Sequence, residues 1–189
     1  RNSFMKFCSD CGEKVIYKVP EGDNIKRACC PSCGAIHYVN PKIISGSLIY
    51  QGEKVLLAKR AIPPRENFWT IPAGFLELKE STENGAIREV REEVNAEIKV
   101  ERLLSVIDIV HISQVYIIYL SSLKGNSFSP GVESLDAKLF SEEDIPWDDL
   151  AFESIKETLR FYFKNFPYSE RNKKREDNLI LRMSIDQKF

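Results

Sequence analysis

The sequence lacks a charge excess, a long apolar run and any cysteine beyond residue 33. Its 27 basic and 28 acidic residues leave a formal net charge of −1. That balance argues against a chain whose main task is to coat nucleic acid or a membrane surface. No stretch approaches the roughly 20 apolar residues that span a bilayer as a helix, and the opening RNSFMKF has no signal-peptide-like apolar core. The expectation is a soluble, cytoplasmic protein without a membrane partner. Internal repeats and low-complexity stretches are also missing. What is present is a 43% apolar fraction in 189 residues, enough for one ordinary domain and a small appendage.

The early cysteines define the appendage. Cys8/Cys11 and Cys30/Cys33 form two Cys-x-x-Cys pairs at a separation suited to a four-thiolate Zn²⁺ site. Cys29 is left over, because its distance to Cys33 breaks the two-residue spacing. Gly12 and Gly34 follow the pairs, as a tight knuckle around a metal requires of a residue free to take φ > 0. A disulfide or redox pairing is the competing reading, disfavoured in a reducing cytosol. Phe7 to Tyr38 therefore reads as a zinc ribbon, with a strand at VIYKV and a turn at Pro20–Asn24. About thirty residues bury little, so the metal would hold this unit together. His37 is expected to be structural, since four thiolates already complete a tetrahedral shell.

Asn40–Pro41 marks a boundary, giving a ribbon over residues 1–41, a main domain over 42–166 and a polar tail over 167–189. IISGSLIY and KVLLAKR read as a hairpin around Gln51–Gly52. The prolines of AIPPREN place a loop there, and FWTIPAGF carries a short strand onward. A helix should start near Ser81 or Thr82, with Glu83 in its first turn, and stop at Asn95. EIKV, LLSVIDIV and QVYIIYLSSL are three strand-like runs, and a further strand is expected at AKLF. In LAFESIKETLRFYFKNF, the positions Ile155, Leu159, Tyr162 and Phe166 recur at helical spacing. The tail from Pro167 reads as mobile. Strands, helix, strands, helix make an α+β chain, an α/β/α sandwich around a sheet.

The chemistry concentrates in GFLELKESTENGAIREVREEVNA, Gly74 to Ala96. On a helix, Glu89, Glu92 and Glu93 share one face, where like charges cost roughly 0.2–0.5 kcal/mol per pair. A divalent cation would reverse that cost. Ala86, Ile87, Val90 and Val94 form the opposite, apolar face. Hard oxygen ligands of this kind suit Mg²⁺ or Mn²⁺, which borrow further oxygens from substrate phosphates. The reaction class that follows is hydrolysis of a phosphoanhydride.

With Gly74, Glu80, Arg88, Glu89, Val90, Glu92, Glu93 and Ala96 in register, the segment resembles the Nudix box. Asn95 alone departs, standing where the family has Gly; Asn is the next most tolerant residue of the left-handed backbone that ends a helix. The resemblance implies the Nudix fold, a mixed sheet between helices. It implies Glu89, Glu92 and Glu93 as metal ligands, joined by the carbonyl of Ala73, and Gly74, Glu80 and Arg88 as the loop brace. Glu133 in PGVES matches the family's downstream ligand or base. Phe68 or Trp69, just before the box, is a candidate to face the substrate.

Beyond the box, NPK, KVLLAKR, FWTIPAGF, SQVYIIYL, PGVES and LAFESI make the chain resemble zinc-ribbon Nudix enzymes of plant chloroplasts and bacteria that cleave FAD and ADP-ribose. The resemblance covers roughly residues 7 to 166 and implies a nucleotide-derivative substrate. Homodimers are common in the wider family. The NADH pyrophosphatases also pair a ribbon with the box, but they carry a Ser-Gln-Pro-Trp-Pro-Phe-Pro array where this chain has VERLLSVIDIVHISQ, without Pro or Trp. NADH, or NAD-capped RNA, therefore ranks second. A ligand sensor with a docking ribbon is a third reading, opposed by the complete set of glutamates. Nucleic acid is not expected as a partner, since Glu13, Glu21 and Asp23 interrupt the ribbon's Lys14, Lys18, Lys26 and Arg27.

Overall fold

The computed structural model describes residues 5–166 and 179–186 and divides into two compact units, Arg1–Asn40 and Pro41–Phe189. In the first unit, three short antiparallel strands, β1 (Ile16–Lys18), β2 (Arg27–Cys29) and β3 (Ile36–His37), run in the order β1-β2-β3. Its buried apolar residues are Cys8, Ala28, Cys29 and Cys30, while Phe7, Ile16, Val19 and Ile25 stay exposed. Such a core cannot offset the chain entropy of folding by itself.

The second unit is built around β4 (Lys42–Gln51). It forms the expected hairpin with β5 (Lys54–Arg60) through Gly52, whose φ of 58° suits the turn. The other strands are β6 (Trp69–Thr70), β7 (Ala73–Phe75), β8 (Ile98–Ile109), β9 (Gln114–Leu123), β10 (Ser134–Phe140) and β11 (Leu181–Ile185). Their order is β10-β5-β4-β9-β8-β11, with β6 paired to β5 and β7 to β4. The sheet is mixed, because β4–β9 and β8–β11 are parallel and the remaining pairs antiparallel.

Two helices cover the sheet: α1 (Thr82–Val94) and α2 (Glu153–Asn165). Strand alternation sorts the core between them. Leu48, Val55 and Leu57 join Leu159 and Tyr162 of α2, whereas Ile49, Leu56 and Ala58 join Val90 and Val94 of α1. The result is the α/β/α sandwich expected of the Nudix fold. Among the described residues no helix is long and apolar enough to cross a membrane.

Two expectations need correction. EIKV and LLSVIDIV are one strand, β8, whose pairing with β9 shifts register at Val100/Arg102 and Leu103/Ser105; bulges absorb the polar residues that suggested a break. The polar tail is also not uniformly mobile. Residues 167–178 and 187–189 lie outside the described residues, but Leu181–Ile185 extends the sheet parallel to β8, from Leu181↔Ser105 to Ile185↔Ile109. The open edge of β8 supplies the unpaired backbone groups that make this five-residue run a strand.

Candidate active site

Helix α1 is capped at both ends by its own sequence. Ser81 Oγ accepts from the Asn84 backbone N–H at 3.2 Å, and Asn95 closes the helix at φ 47°, ψ 37°. Ala86, Val90 and Val94 are fully buried against the sheet, which turns the glutamates toward a cleft of about 1190 Å³. Ala73, Gly74, Arg88, Glu89, Glu92, Glu93, Glu133 and Phe68 all line it. Trp69 does not: it packs edge-on against Phe140, with ring centroids 4.9 Å apart, at the border of the α2-side core. Adjacent residues in extended backbone point to opposite sides, so Phe68 is the aromatic that faces the cleft.

Arg88 organises the acidic end. Its Nη2 donates to Glu80 Oε1 at 2.7 Å and to the Phe75 carbonyl at 3.0 Å. Its Nη1 reaches Glu89 Oε1 at 2.7 Å and Glu92 Oε2 at 2.9 Å. Glu80 in turn accepts from the Glu77 backbone N–H at 2.7 Å. One guanidinium thus ties the loop after Gly74 to the helix, and it holds the Glu80 carboxyl below the usual carboxylate range. At Gly74 a Cβ would overlap the Glu89 carboxylate, so only glycine leaves room for that side chain.

Glu89 is 8% exposed, and burial pushes its carboxyl up despite the ion pair to Arg88. Glu93 is pushed up to about 8, first by burial of its carboxylate and then by Glu89, with Glu133 adding to the effect. The backbone N–H of Ala73 and the charge of Arg60 act in the opposite direction. Glu93 Oε2 is shut off from solvent with no hydrogen-bond partner. A buried carboxylate oxygen without a donor, beside two further carboxylates, fits a hard divalent cation.

Some site residues escaped the sequence reading. Arg60 lines the cleft, donates Nε to the Pro64 carbonyl at 2.9 Å and lies 5.4 Å over the Phe152 ring. The available signal was a charge ending a strand in which Val55, Leu56, Leu57 and Ala58 are all buried. Tyr116, His111 and Gln114 also line the cleft. Gln114 and Tyr116 sit in a run that reads only as strand, and His111 falls between two such runs.

Asn95 does more than replace a glycine. Its Nδ2 donates to the Ser129 carbonyl (3.3 Å), Ser129 Oγ (3.2 Å) and the Pro130 carbonyl (3.1 Å). The same loop donates from the Gly131 backbone N–H to the Glu93 carbonyl at 2.8 Å, and a Cβ at Gly131 would overlap the Glu92 carbonyl oxygen. Asn95 therefore clamps the loop leading to Glu133. Asn95→Gly keeps the left-handed backbone and removes the clamp. Amide exchange at Ser129 and Gly131 is expected to accelerate about tenfold while α1 stays protected; unchanged exchange at both would show the clamp to be idle.

The ribbon unit holds a second cluster. One Sγ from each of Cys8, Cys11, Cys30 and Cys33 lies within 4.8 Å of the others, with 3.7 Å from Cys8 to Cys33 and 3.5 Å from Cys11 to Cys30. Backbone N–H donation from Cys33 lowers the Cys30 thiol to about 7, while the neighbouring thiols of Cys11 and Cys33 are raised. The four sulfurs fit tetrahedral Zn²⁺. Cys29 stays apart, its Sγ directed to the Arg27 carbonyl at 3.6 Å. His37 Nε2 lies 3.2 Å from Cys8 Sγ, a neighbour of the cluster.

Residues 6–39 match the Nudix N-terminal zinc-ribbon family model, and residues 41–162 match the NUDIX domain model. A solved NUDIX hydrolase from Nitrosomonas europaea is 44% identical, with a TM-score of 0.87 over 97% of this chain and 100% of that one. An ADP-ribose pyrophosphatase of Methanocaldococcus jannaschii is 28% identical over 133 residues, 66% of this chain and 76% of that protein. The NAD-capped RNA hydrolase NudC of Pseudomonas aeruginosa is 36% identical over 97 residues, 49% of this chain but only 32% of NudC. The chain belongs to the Nudix hydrolase family, as a NUDIX domain preceded by the family's zinc ribbon.

Proposed function

We propose that the cleft hydrolyses the diphosphate of ADP-linked nucleotides, with FAD yielding FMN and AMP, ADP-ribose yielding AMP and ribose 5-phosphate, or both. The observation that carries this reading is the convergence of Glu89, Glu93 and Glu133 on one cleft, with Glu93 Oε2 buried and without a partner. Glu89, Glu92 and Glu93 would hold Mg²⁺ or Mn²⁺, with the Ala73 carbonyl and Glu133 as further ligands. When bound there, the cation would neutralise diphosphate charge and supply an activated water. Arg88 fixes the orientation of Glu89 and Glu92, and Glu80 braces Arg88. Arg60 places a fixed positive charge beside the carboxylates for the diphosphate oxygens. Glu133 serves as ligand or as base. Phe68, with the Arg65 guanidinium 5.3 Å over its ring, forms one wall.

NAD(H) or NAD-capped RNA is the second reading, favoured by the similarity to NudC. That relative also keeps capped RNA among the candidate substrates, despite the uneven charge of the ribbon. Turnover of ADP-ribose, FAD, NADH and NAD-capped RNA under one set of conditions separates the two. The first reading predicts the highest kcat/KM for ADP-ribose or FAD; preference for NADH or the capped RNA would replace it by the second.

A further inference from the structure

The cleft has a second set of lining residues that the diphosphate chemistry does not use. Its floor is one row of the sheet. Gln114 opposes Ile109 across β9–β8, and Ile109 opposes Ile185 across β8–β11. Directly paired residues share a face, and all three line the cleft. Tyr116, two residues along β9, continues that face and pairs with Ile44 of β4. From β9 to β11 the row crosses two strand gaps, about 9–10 Å. The turn Val110–Ile112 brings His111 and Ile112 into the lining. His111 Nδ1 is buried with no hydrogen-bond partner. The start of α2 also lines the cleft, with Phe152 and Ile155 beside Glu153 and Lys156.

An apolar floor with two polar groups at its rim is the environment of a flat heteroaromatic ring. Aliphatic and aromatic side chains take the ring faces. The Gln114 amide offers a donor and an acceptor, and the imidazole offers either. Together they match the hydrogen-bonding edge of a purine. A phosphate or a bare sugar would leave Ile109 and Ile185 without apolar contact. The third strand of this row, β11, lies beyond the NUDIX match, which ends at residue 162.

We propose that Gln114, His111, Ile109 and Ile185 form the seat of the substrate's nucleobase, with the C-terminal strand β11 as its specificity element. The proposal rests on the diphosphate-hydrolase reading and adds the part of the substrate recognised. A free dinucleotide and the capped end of an RNA both present such a ring.

The test is calorimetric titration of the full chain and its Gln114→Ala, His111→Ala and Ile185→Ala variants with AMP and with ribose 5-phosphate. Loss of one hydrogen bond is worth about tenfold in affinity. Gln114→Ala and His111→Ala are expected to weaken AMP about tenfold each and Ile185→Ala about threefold, with ribose 5-phosphate changed less than twofold. AMP affinities within twofold of wild type in both polar variants would overturn the proposal. So would parallel weakening of AMP and ribose 5-phosphate. Gln114→Glu, which keeps size and removes the amide donor, replaces Gln114→Ala if that variant misfolds by circular dichroism.

Hydrolysis of ADP-ribose by the wild-type chain is read separately. Cleavage with base-insensitive binding sinks the seat alone; selective AMP loss without any cleavage keeps the seat and sinks the hydrolase reading. Titration of NAD against an NAD-capped oligonucleotide distinguishes the two sources. The source is the one whose binding falls in Gln114→Ala, and a fall in neither counts against the seat.

Discussion

Glu93→Gln is expected to lower kcat/KM for the preferred substrate by at least about 100-fold at fixed Mg²⁺, because changes to the outer partners of metal ligands alone cost about 10–100-fold. The substitution keeps the side chain's shape and removes a charged oxygen from the position where Oε2 is buried without a donor. It should not unfold the protein. Glu93 is raised to about 8 by burial and by Glu89, so the folded chain holds this proton where the unfolded chain has released it. Folding stability therefore falls as pH rises from the ordinary carboxylate range toward 8, and a neutral amide escapes that loss. In buffer free of Mg²⁺ and Mn²⁺ at pH 8, the variant is expected to melt at or above the wild-type temperature. Near wild-type turnover would remove Glu93 from the ligand set.

Cys30→Ser should have an effect of similar size in the other unit. Few apolar residues of the ribbon are buried, and Cys30 is the thiol that the Cys33 backbone N–H brings down to about 7. Structural zinc supplies roughly 10–16 kcal/mol of apparent folding free energy to small domains of this kind. Removing one thiolate is expected to reduce bound zinc from one per chain to a small fraction and to expose the amides of residues 7–38 to exchange. The second unit keeps its own core, so α1 and α2 should stay protected. One zinc per chain in Cys30→Ser would transfer the ligand role to another residue, with His37 the nearest alternative.

What the sequence revealed about the site was local and periodic. Glu89, Glu92 and Glu93 share a helix face by spacing alone, Ser81 opens that helix through its side-chain oxygen, and Asn95 closes it through its tolerance of left-handed backbone. The remainder depended on partners distant in the chain. Asn95 reads as a helix stop, yet its amide also holds Ser129 and Pro130, an arrangement that no local pattern encodes. Phe68 and Trp69 are equivalent by composition, and only the direction of the backbone assigns one to the cleft and the other to Phe140.

The tail misled because LRMSI is short and sits among charges; its strand exists only against the open edge of β8. The ribbon cysteines were legible because metal-ligand spacing is set by covalent geometry. Arg60 and His111 were not, since a charge at the end of a strand and a lone histidine more often meet solvent than line a cleft.

The most direct measurement is mass spectrometry of the products formed from ADP-ribose and FAD with Mg²⁺ or Mn²⁺, by the wild-type chain and by Glu93→Gln. A diphosphate hydrolase using the Glu89–Glu93 cleft releases AMP together with ribose 5-phosphate or FMN, and Glu93→Gln releases neither at a comparable rate. Intact substrates with the metal-loaded wild-type chain, or the same products at the same rate from Glu93→Gln, would contradict it.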